Sequence, residues 1–256
     1  MNQFPWRLRV AWKLINSLTP WLRSSQEHYF EKLELLIQRP SKILDIGCGK
    51  EFLMSWLRPE LFQRLNTAFH ERGIIFGVDP YLPSLQQNPS RLTACALADH
   101  LPFSDGSFDI VTANMVAEHV AEPIVVLREV FRVLRPNGLF VFHTPNLRAP
   151  AVGILNVLPH ALKKAVVPFF EGGRQSEDVF PTHYRLNKRD AIEHAASQSG
   201  LSVDSISYVF TSPMTQMLGP FVIVELLLTR FFSGARFASF RPDLICVLRK
   251  PESPSA

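Results

Sequence analysis

Residues 41–49 read SKILDIGCG, and this stretch decides the fold. A short apolar run that ends in a glycine-rich turn is typical of a buried strand feeding a helix. Gly47 and Gly49 let the backbone bend sharply and approach a ligand closely. The helix after such a turn presents unpaired N–H groups and the positive end of its dipole, which suit a carboxylate or a phosphate. The stretch therefore predicts a strand, a ligand-binding turn and a helix.

On both sides of this stretch the chain alternates between strand and helix patterns. Short apolar runs predict strands at 42–46, 74–79, 92–97, 108–113, 139–144, 201–210 and 244–248. Apolar residues at helical spacing predict helices over 5–38, 51–72, 122–135, 187–200 and 213–233. The breakers Pro136, Asn137 and Gly138 are expected to separate a helix from the strand at 139–144. Because strands that alternate with helices form right-handed crossovers, we expect an α/β fold with a mostly parallel sheet.

An acidic residue closes the second predicted strand, where Gly77 and Val78 are followed by Asp79. A carboxylate at the tip of this strand can accept hydrogen bonds from both hydroxyls of a ribose. A turn acid that caps the next segment is the structural alternative. In combination with the glycine turn after the first strand, Asp79 predicts a nucleoside site.

At this point the chain resembles the class I S-adenosylmethionine-dependent methyltransferases, in particular the type 11 group with the ubiquinone- and menaquinone-type enzymes. The matching stretches follow the order of the family and are ILDIGCG (43–49), GVDP (77–80), LPFSDGSFDIV (101–111), EH (118–119) and LREVFRVLRPNGLFVFHTPN (127–146). The resemblance implies a Rossmann-like, doubly wound sheet of seven strands with helices on both faces. It also implies S-adenosylmethionine as the cofactor and methyl transfer as the activity.

The resemblance further implies which residues hold the methionine and ribose parts of the cofactor. Gly47, Cys48 and Gly49 would pass under the methionine part through backbone contacts. Asp45 would orient that turn and reach the amino group, directly or through water. Asp79 would bind the ribose hydroxyls.

The remaining cofactor contacts implied by the resemblance lie after the next strands. Pro80 would lie beside the adenine, and Ala98 and Asp99 would flank it from the turn after the third strand. Asn114 and Met115, after the fourth strand, would line the cofactor near its reactive sulfur.

Two positions depart from the family pattern. The family often has a third glycine where Glu51 stands, and this carboxylate would lie near that of the cofactor unless it points away. Lys50 could compensate for it or supply the contact itself. The family also tends to place an aspartate where Leu97 stands, so Asp99 could accept from the adenine amino group instead. These departures keep open the alternative of a non-catalytic cofactor-binding or membrane-associated scaffold.

Methyl transfer needs a nucleophile in line with the methyl group and a base, and no covalent enzyme residue. Ligands bind at the carboxyl ends of the strands in such sheets, so His119, His143 and His183 are candidate bases. His183 with its neighbour Tyr184 is the first choice, because both belong to the acceptor-facing region. A structural hydrogen bond is the alternative for each histidine. Their spacing matches no compact metal motif, so we expect no metal site.

Several substrate classes are argued against. Thr112, Ala113, Asn114 and Met115 stand where amino-group methylases of adenine or glutamine carry Asn/Asp-Pro-Pro-aromatic, and no Pro-Cys nucleophile follows. The net charge of +4 is spread along the chain without a Lys/Arg stripe. We therefore expect no DNA partner, and RNA is disfavoured. A protein or RNA methyltransferase is kept as an alternative function.

The chain divides into segments with different expected roles. Residues 1–40 form an N-terminal helical segment, and 41–250 form the methyltransferase domain. Within that domain, 147–186 is an acceptor-side insertion and 213–233 is an apolar helix. Residues 251–256 are expected to be a loose tail.

The N-terminal segment mixes aromatic and basic residues: Trp6, Trp12 and Trp21 with Arg7, Arg9, Lys13 and Arg23. This composition suits a helix that lies in a membrane interface. A lid packed over the cofactor is the other interpretation, and we favour it because packing is the usual fate of an amphipathic helix. The apolar segments 151–170 and 214–232 could wall a pocket for a small, hydrophobic or lipid-like acceptor. They could equally form a homodimer contact.

Cysteine usage and hydropathy favour the cytoplasm. Cys48, Cys95 and Cys246 are odd in number and far apart, which indicates a reducing compartment. No secretory signal is evident, and no apolar stretch reaches the roughly 20 residues of a membrane span. We expect a cytoplasmic protein, with peripheral membrane contact left open.

Overall fold

The computed structural model describes residues 6–37, 40–52, 57–90, 92–150, 152, 180–211 and 219–252. The chain forms two compact units. The sheet unit comprises residues 26–145, 182–207 and 244–256, and the helical unit comprises 1–25, 146–181 and 208–243. The apolar segment predicted at 151–170 lies outside the described residues except for residue 152, as do most of the insertion predicted at 147–186 and the end of the tail.

Seven strands form one sheet. They are β1 (Ser41–Ile46), β2 (Gly73–Asp79), β3 (Thr93–Cys95), β4 (Phe108–Asn114), β5 (Leu134–Pro145), β6 (Ser202–Val209) and β7 (Asp243–Arg249), in the order β3-β2-β1-β4-β5-β7-β6. The pairs β2–β3, β1–β2, β1–β4 and β4–β5 are parallel. Lys250, just after β7, donates from its N–H to Gly138 O near the start of β5, so β7 runs opposite to β5. The expected Rossmann-like, mostly parallel seven-stranded sheet is confirmed.

Seven α-helices are described, with two short 3₁₀ helices. The α-helices are α1 (Trp6–Leu18), α2 (Ser25–Leu36), α3 (Pro59–Arg72), α4 (Leu82–Leu85), α5 (Pro123–Val133), α6 (Arg189–Ser199) and α7 (Val222–Phe231). The 3₁₀ helices are η1 (Ala117–His119) and η2 (Ala235–Phe240). Pro59 and Pro123 open α3 and α5, where the missing proline N–H costs no intrahelical bond.

Three predicted elements have different bounds in the structure. The helix predicted over 5–38 is two helices, because Pro20 lacks an N–H and interrupts the ladder between α1 and α2. The helix predicted from residue 51 begins at Pro59. The strand predicted from residue 139 begins at Leu134. Its breakers are accommodated inside the strand, where Asn137 takes φ 63° and the pairing with β4 shifts register.

The core of the sheet unit lies around the central strands. Leu44 of β1, Val111 of β4 and Val141 of β5 are fully buried, as are Leu127 and Val130 on α5. Burying such side chains stabilises the fold by roughly 1.5–3 kcal/mol each. Parallel strands fixed in this way bring the carboxyl ends of β1, β2, β4 and β5 to the same edge of the sheet.

The helical unit is built on contacts between α1 and α7. Val222 and Leu226 of α7 are buried together with Ala11 of α1. The helix predicted over 213–233 is confirmed for Val222–Phe231, while residues 212–218 lie outside the described part of the chain. None of the helices described is both long and apolar enough to cross a membrane.

Candidate cofactor and acceptor site

The glycine turn after β1 is held tightly against neighbouring segments. Gly47 and Gly49 take φ values of 72° and 51°, in the left-handed region that favours glycine. The N–H groups of Gly47 and Cys48 donate to Val78 O at 2.7 and 3.1 Å. A Cβ on Gly47 would lie 2.4 Å from Cγ2 of Val116, in the loop after β4. The turn therefore has no room for a side chain at residue 47.

Asp79 fastens the same turn from the end of β2. Its carboxylate is buried, and Oδ2 accepts from the N–H of Gly49 at 3.0 Å. Oδ1 accepts from the N–H of Tyr81 at 2.8 Å. Each carboxylate oxygen has a second lone pair, so both can still accept from a ribose hydroxyl. The geometry satisfies the turn-acid interpretation and is compatible with the ribose role.

Asp45 is a buried carboxyl near the end of β1. The hydroxyl of Thr112 donates to its Oδ1 at 2.7 Å from the residue opposite it in β4. Burial, with the nearby charge of Asp79, raises the pKa of Asp45 to about 7, although the Thr112 hydrogen bond lowers it. A cationic amino group placed here would favour the ionised form.

Cys48 contributes to the turn through its backbone. Burial, together with the nearby carboxylates of Asp45 and Asp79, raises the pKa of Cys48 to about 12. The thiol therefore stays neutral at physiological pH and is not an activated nucleophile.

The predicted adenine end fits an adenine amino group. Oδ1 of Asp99 is a buried oxygen that accepts no hydrogen bond from the described residues, and its ion-pair neighbour, Nδ1 of His100, lies 3.8 Å away. A buried acceptor in this state calls for a donor, which the adenine amino group would supply. Leu97, which stands where the family tends to have an aspartate, is 60% exposed and has no side-chain acceptor. Asp99 offers the carboxylate acceptor instead. Ala98 is half-buried and Pro80 is exposed.

The glycine turn has open space next to Gly49, on the side where the cofactor is expected. A Cβ on Gly49 would meet no atom within 4 Å, in contrast to Gly47. Glu51 is half-buried and Lys50 is exposed just after the turn. The turn, Asp79 and Asp99 thus fit S-adenosylmethionine by the chemistry of their donors and acceptors.

At the end of β4, Asn114 belongs to a hydrogen-bond network that includes one predicted base, His143. Asn114 donates from Nδ2 to Gln26 Oε1 at 2.7 Å, and its Oδ1 lies 2.9 Å from Nδ1 of His143. With this amide orientation, His143 Nδ1 is the donor. His143 is fully buried and its ring stacks on Tyr29 at 5.6 Å. These contacts favour the structural alternative for His143.

Met115, the residue after Asn114, has a strained backbone and is hydrogen-bonded to His143. It takes φ 56°, which is unusual for a residue other than glycine, and its N–H donates to His143 O at 2.9 Å. Such strain costs roughly 1–3 kcal/mol and often marks functional sites. The strained residue is one that the resemblance places near the reactive sulfur.

The other predicted catalytic residues gather around η1. The N–H groups of His183 and Tyr184 both donate to Glu118 O, at 2.7 and 3.0 Å. His119 is the next residue along η1. His183 is exposed, and Tyr184 is half-buried with φ 53°. Residues far apart in sequence therefore meet where β4 ends.

The Glu118 side chain anchors this cluster to the end of β5. Thr144 donates to Glu118 Oε2 at 3.2 Å and accepts from Asn187 Nδ2 at 2.7 Å. Burial raises the pKa of the Glu118 carboxyl above its usual value. The sequence singled out Glu118 only as part of the EH pair, and it gave no sign of the Thr144 and Asn187 contacts.

Sequence reasoning also missed three supporting residues. Thr112 could have been found, because aligning the ends of β1 and β4 puts it opposite Asp45. Gln26 and Tyr29 carry no such signal, since a helical pattern does not say which sheet edge a helix covers. Within the described ranges no group of three or more His, Cys, Asp and Glu could hold a metal ion.

Comparison with known proteins agrees with this geometry. A family model described as a methyltransferase domain matches residues 21–206. An uncharacterized methyltransferase of Mycobacterium sp. (strain KMS) is 30% identical over 168 residues, which cover 62% of each chain. The ubiquinone biosynthesis O-methyltransferase of Pseudomonas fluorescens (strain SBW25) is 34% identical over 146 residues, covering 50% of this chain and 59% of the relative. The chain thus spans less than two thirds of the length of these relatives.

A solved structure shares the fold. A protein of Listeria monocytogenes, described as an S-adenosylmethionine-dependent methyltransferase, superposes with a TM-score of 0.55 at 15% identity, over 89% of this chain and 98% of that one. The family model covers well over half of the chain, and the sheet order and glycine turn agree with it. The chain therefore belongs to the methyltransferase domain family.

Proposed function

We propose that this chain transfers a methyl group from S-adenosylmethionine to an oxygen or carbon atom of a small, hydrophobic acceptor. The observation that carries the proposal is the glycine turn clasped by Asp79, at the same sheet edge as the His183 cluster. The family resemblance supports the reaction, and the relative named a ubiquinone biosynthesis O-methyltransferase supports an oxygen acceptor of hydrophobic character.

The residues of the turn bind and orient the cofactor in this proposal. When bound, S-adenosylmethionine supplies an electrophilic methyl group carried on a sulfonium. Gly47 and Gly49 approach it through their backbone, Asp79 accepts from the ribose, and Asp99 accepts from the adenine amino group. Asp45, held by Thr112, binds the amino group. Fixing the methyl group and the acceptor in line accounts for about 7–11 kcal/mol of the barrier reduction.

His183 removes the acceptor proton in this proposal. Its backbone N–H donates to Glu118 O, which fixes the position of the residue, and its side chain is exposed. The imidazole can therefore contact the methyl acceptor. Histidine side chains take up protons near neutral pH, as a general base requires. His119 and Tyr184 line the same place and orient the acceptor.

The alternative of a non-catalytic scaffold has less support. It rested on Glu51 and Leu97, yet the buried Oδ1 of Asp99 offers the acceptor that Leu97 does not. No observation favours a protein or RNA acceptor over a small molecule.

The test is calorimetric titration with S-adenosylmethionine and S-adenosylhomocysteine, followed by an acceptor screen of hydrophobic phenols, quinones and lipids. Wild-type protein should bind both cofactors, and Asp79→Ala should bind neither. Asp190→Ala, an exposed acid on α6, is the matched control and should bind normally. A wild-type protein that binds no cofactor would remove the basis of the proposal.

We also propose a cytoplasmic location with peripheral membrane contact. All three cysteines are free thiols, as a reducing compartment would leave them. A lipid-like acceptor would be reached most directly from a membrane surface. Assembly into a homodimer is the alternative use of an exposed apolar surface, and light scattering in solution distinguishes the two.

A further inference from the structure

One face of α7 is apolar and exposed. Its exposed large apolar side chains, with the residue just before the helix, are Phe221, Ile223, Val224, Leu227, Leu228 and Phe231, and each is 40–73% exposed. Val222 and Leu226, on the opposite face, are fully buried against α1. At 3.6 residues per turn, the six exposed residues form one continuous arc about 160° wide. We call these six residues the α7 patch.

Aromatic residues extend the α7 patch beyond the helix. Phe231 packs on Phe232 at 5.2 Å and on Phe237 of η2 at 5.4 Å between ring centroids. Phe240, at the end of η2, is 42% exposed and lies 6.2 Å from Phe232. An exposed apolar surface of this extent marks an interaction site more often than it marks chance exposure.

Basic side chains outnumber acidic ones among the described residues of the helical unit. The described residues of the helical unit include eight basic and two acidic side chains: Arg7, Arg9, Lys13, Arg23, Arg148, Arg230, Arg236 and Arg241 against Glu225 and Asp243. Arg230 borders one edge of the apolar arc on α7, and Glu225 borders the other. Arg236 is exposed on η2, with its guanidinium 4.7 Å from the Phe237 ring centroid. The described part of this unit therefore carries a positive field next to an apolar face.

We infer that the α7 patch docks this protein on an anionic lipid surface, with α7 lying in the plane of the membrane. This inference rests on the proposed membrane contact and assigns it a surface and a lipid charge. A helix of ten residues is about 15 Å long, so it lies in the interface and does not span the bilayer. Apolar burial supplies the attachment, and Arg230 and Arg236 meet the lipid phosphates.

Charge favours a membrane over a second copy of the chain. A two-fold dimer built on the α7 patch would bring together two units whose described residues each carry an excess of basic side chains, Arg230 and Arg236 among them. Like charges in that position oppose association. An anionic lipid surface neutralises the same arginines.

The composition of α1 suits a helix that lies in a membrane interface, but its place in the helical unit gives it a different role. Its apolar residues pack on α7, because Ala11 is buried there and Leu14, Ile15 and Leu18 lie beside it. Arg9 and Lys13, which are exposed, lie on the far side of this pair. They add to the long-range attraction, whereas α7 enters the lipid.

The test is sedimentation of the full-length protein with vesicles, using either phosphatidylcholine alone or phosphatidylcholine mixed with phosphatidylglycerol. The wild-type protein should sediment with the anionic vesicles, and added salt should release part of it, because screening weakens the arginine contacts. Leu227→Ser/Phe231→Ser should lower the partition coefficient by about tenfold or more, since each substitution removes an apolar side chain from the lipid. Arg236→Gln should lower it on anionic vesicles only.

Matched controls separate this inference from the proposed methyl transfer. Leu35→Ser/Val125→Ser removes two exposed apolar residues of the sheet unit and should sediment like the wild type. Cofactor titration of every variant shows that the sheet unit is intact. Wild-type protein that binds cofactor but neither vesicle would overturn the docking inference and leave the methyltransferase assignment in place. A dimer in light scattering that Leu227→Ser/Phe231→Ser dissociates would reassign the patch to a second copy.

Discussion

The hydroxyl of Thr112 donates a 2.7 Å hydrogen bond to Oδ1 of Asp45, and the two residues face each other across β1 and β4. Thr112→Val keeps the shape of the side chain and removes this donor. We expect the pKa of Asp45 to rise further and cofactor affinity at pH 7 to fall by about tenfold or more, since a hydrogen bond to a charged group contributes about 1.5–3 kcal/mol. Calorimetric titration from pH 6 to 9 measures this, and affinity should recover at high pH. Thr112→Ser, which keeps the hydroxyl, should bind like the wild type; equal weakening by both variants would contradict the role.

The raised pKa of Asp45 makes the stability of the cofactor-free protein depend on pH. Its pKa rises from 3.8 to about 7 on folding. The folded state therefore favours the protonated form, and this advantage is present at low pH and lost as the pH rises from about 4 through about 7. Relative to Asp45→Asn, the wild-type protein should lose up to about 4 kcal/mol of unfolding free energy across that range. Urea denaturation at pH 5 and pH 8 captures about 3 kcal/mol of this change, and an equal pH dependence in both proteins would contradict the prediction.

The contact between residue 47 and Val116 predicts a rescue by double substitution. Gly47→Ala brings a Cβ within 2.4 Å of Val116 Cγ2, so it should cost about 1–3 kcal/mol beyond the strain of its positive φ. Gly106 also has a positive φ but open space around it, so Gly106→Ala reports the backbone strain alone. Thermal unfolding compares the two. Adding Val116→Ala to Gly47→Ala should restore stability to the level of Gly106→Ala, and failure to do so would mean that Val116 is not the obstacle.

Gly49 separates binding from folding. Gly49→Ala and Gly106→Ala place a Cβ in open space at similar φ values, 51° and 62°. Both should destabilise the fold by a similar 1–2 kcal/mol or so. Only Gly49→Ala should weaken S-adenosylhomocysteine binding, because its methyl group enters the space that the backbone leaves for the cofactor. Normal affinity in Gly49→Ala would show that the cofactor does not lie over this turn.

The proposed base gives a kinetic prediction. His183→Gln should lower kcat by about 10²–10⁴ with cofactor affinity unchanged, because the imidazole acts on the acceptor. Initial rates with an accepted phenol, measured from pH 6 to 9, test this. His194→Gln, an exposed histidine on α6, is the control. If kcat and its pH profile stay as in the wild type, His119 becomes the candidate base.

The sequence predicted the sheet and its turn well, because those features are local. The glycine turn needs residues at fixed spacing after an apolar run, and Asp79 ends the next such run. The predicted bounds of the helices around Pro20 and of the strand around Pro136 were less accurate. A proline can end a helix or strand, or lie within an irregular part of a strand, and tertiary contacts decide between these outcomes. Contacts such as Glu118 with His183 were not predictable, because the residues are far apart in sequence and meet only through the strand order.

The pairing of α1 with α7 also has a consequence for synthesis on the ribosome. Arg230 donates to Leu18 O at 3.0 Å across 212 residues of chain, so α1 is made long before its partner helix. At translation rates of about 5–20 residues per second, the apolar side of α1 waits roughly 10–40 seconds for α7 to emerge. During this interval α1 is an uncovered amphipathic segment of the nascent chain, and chaperones can bind its apolar side.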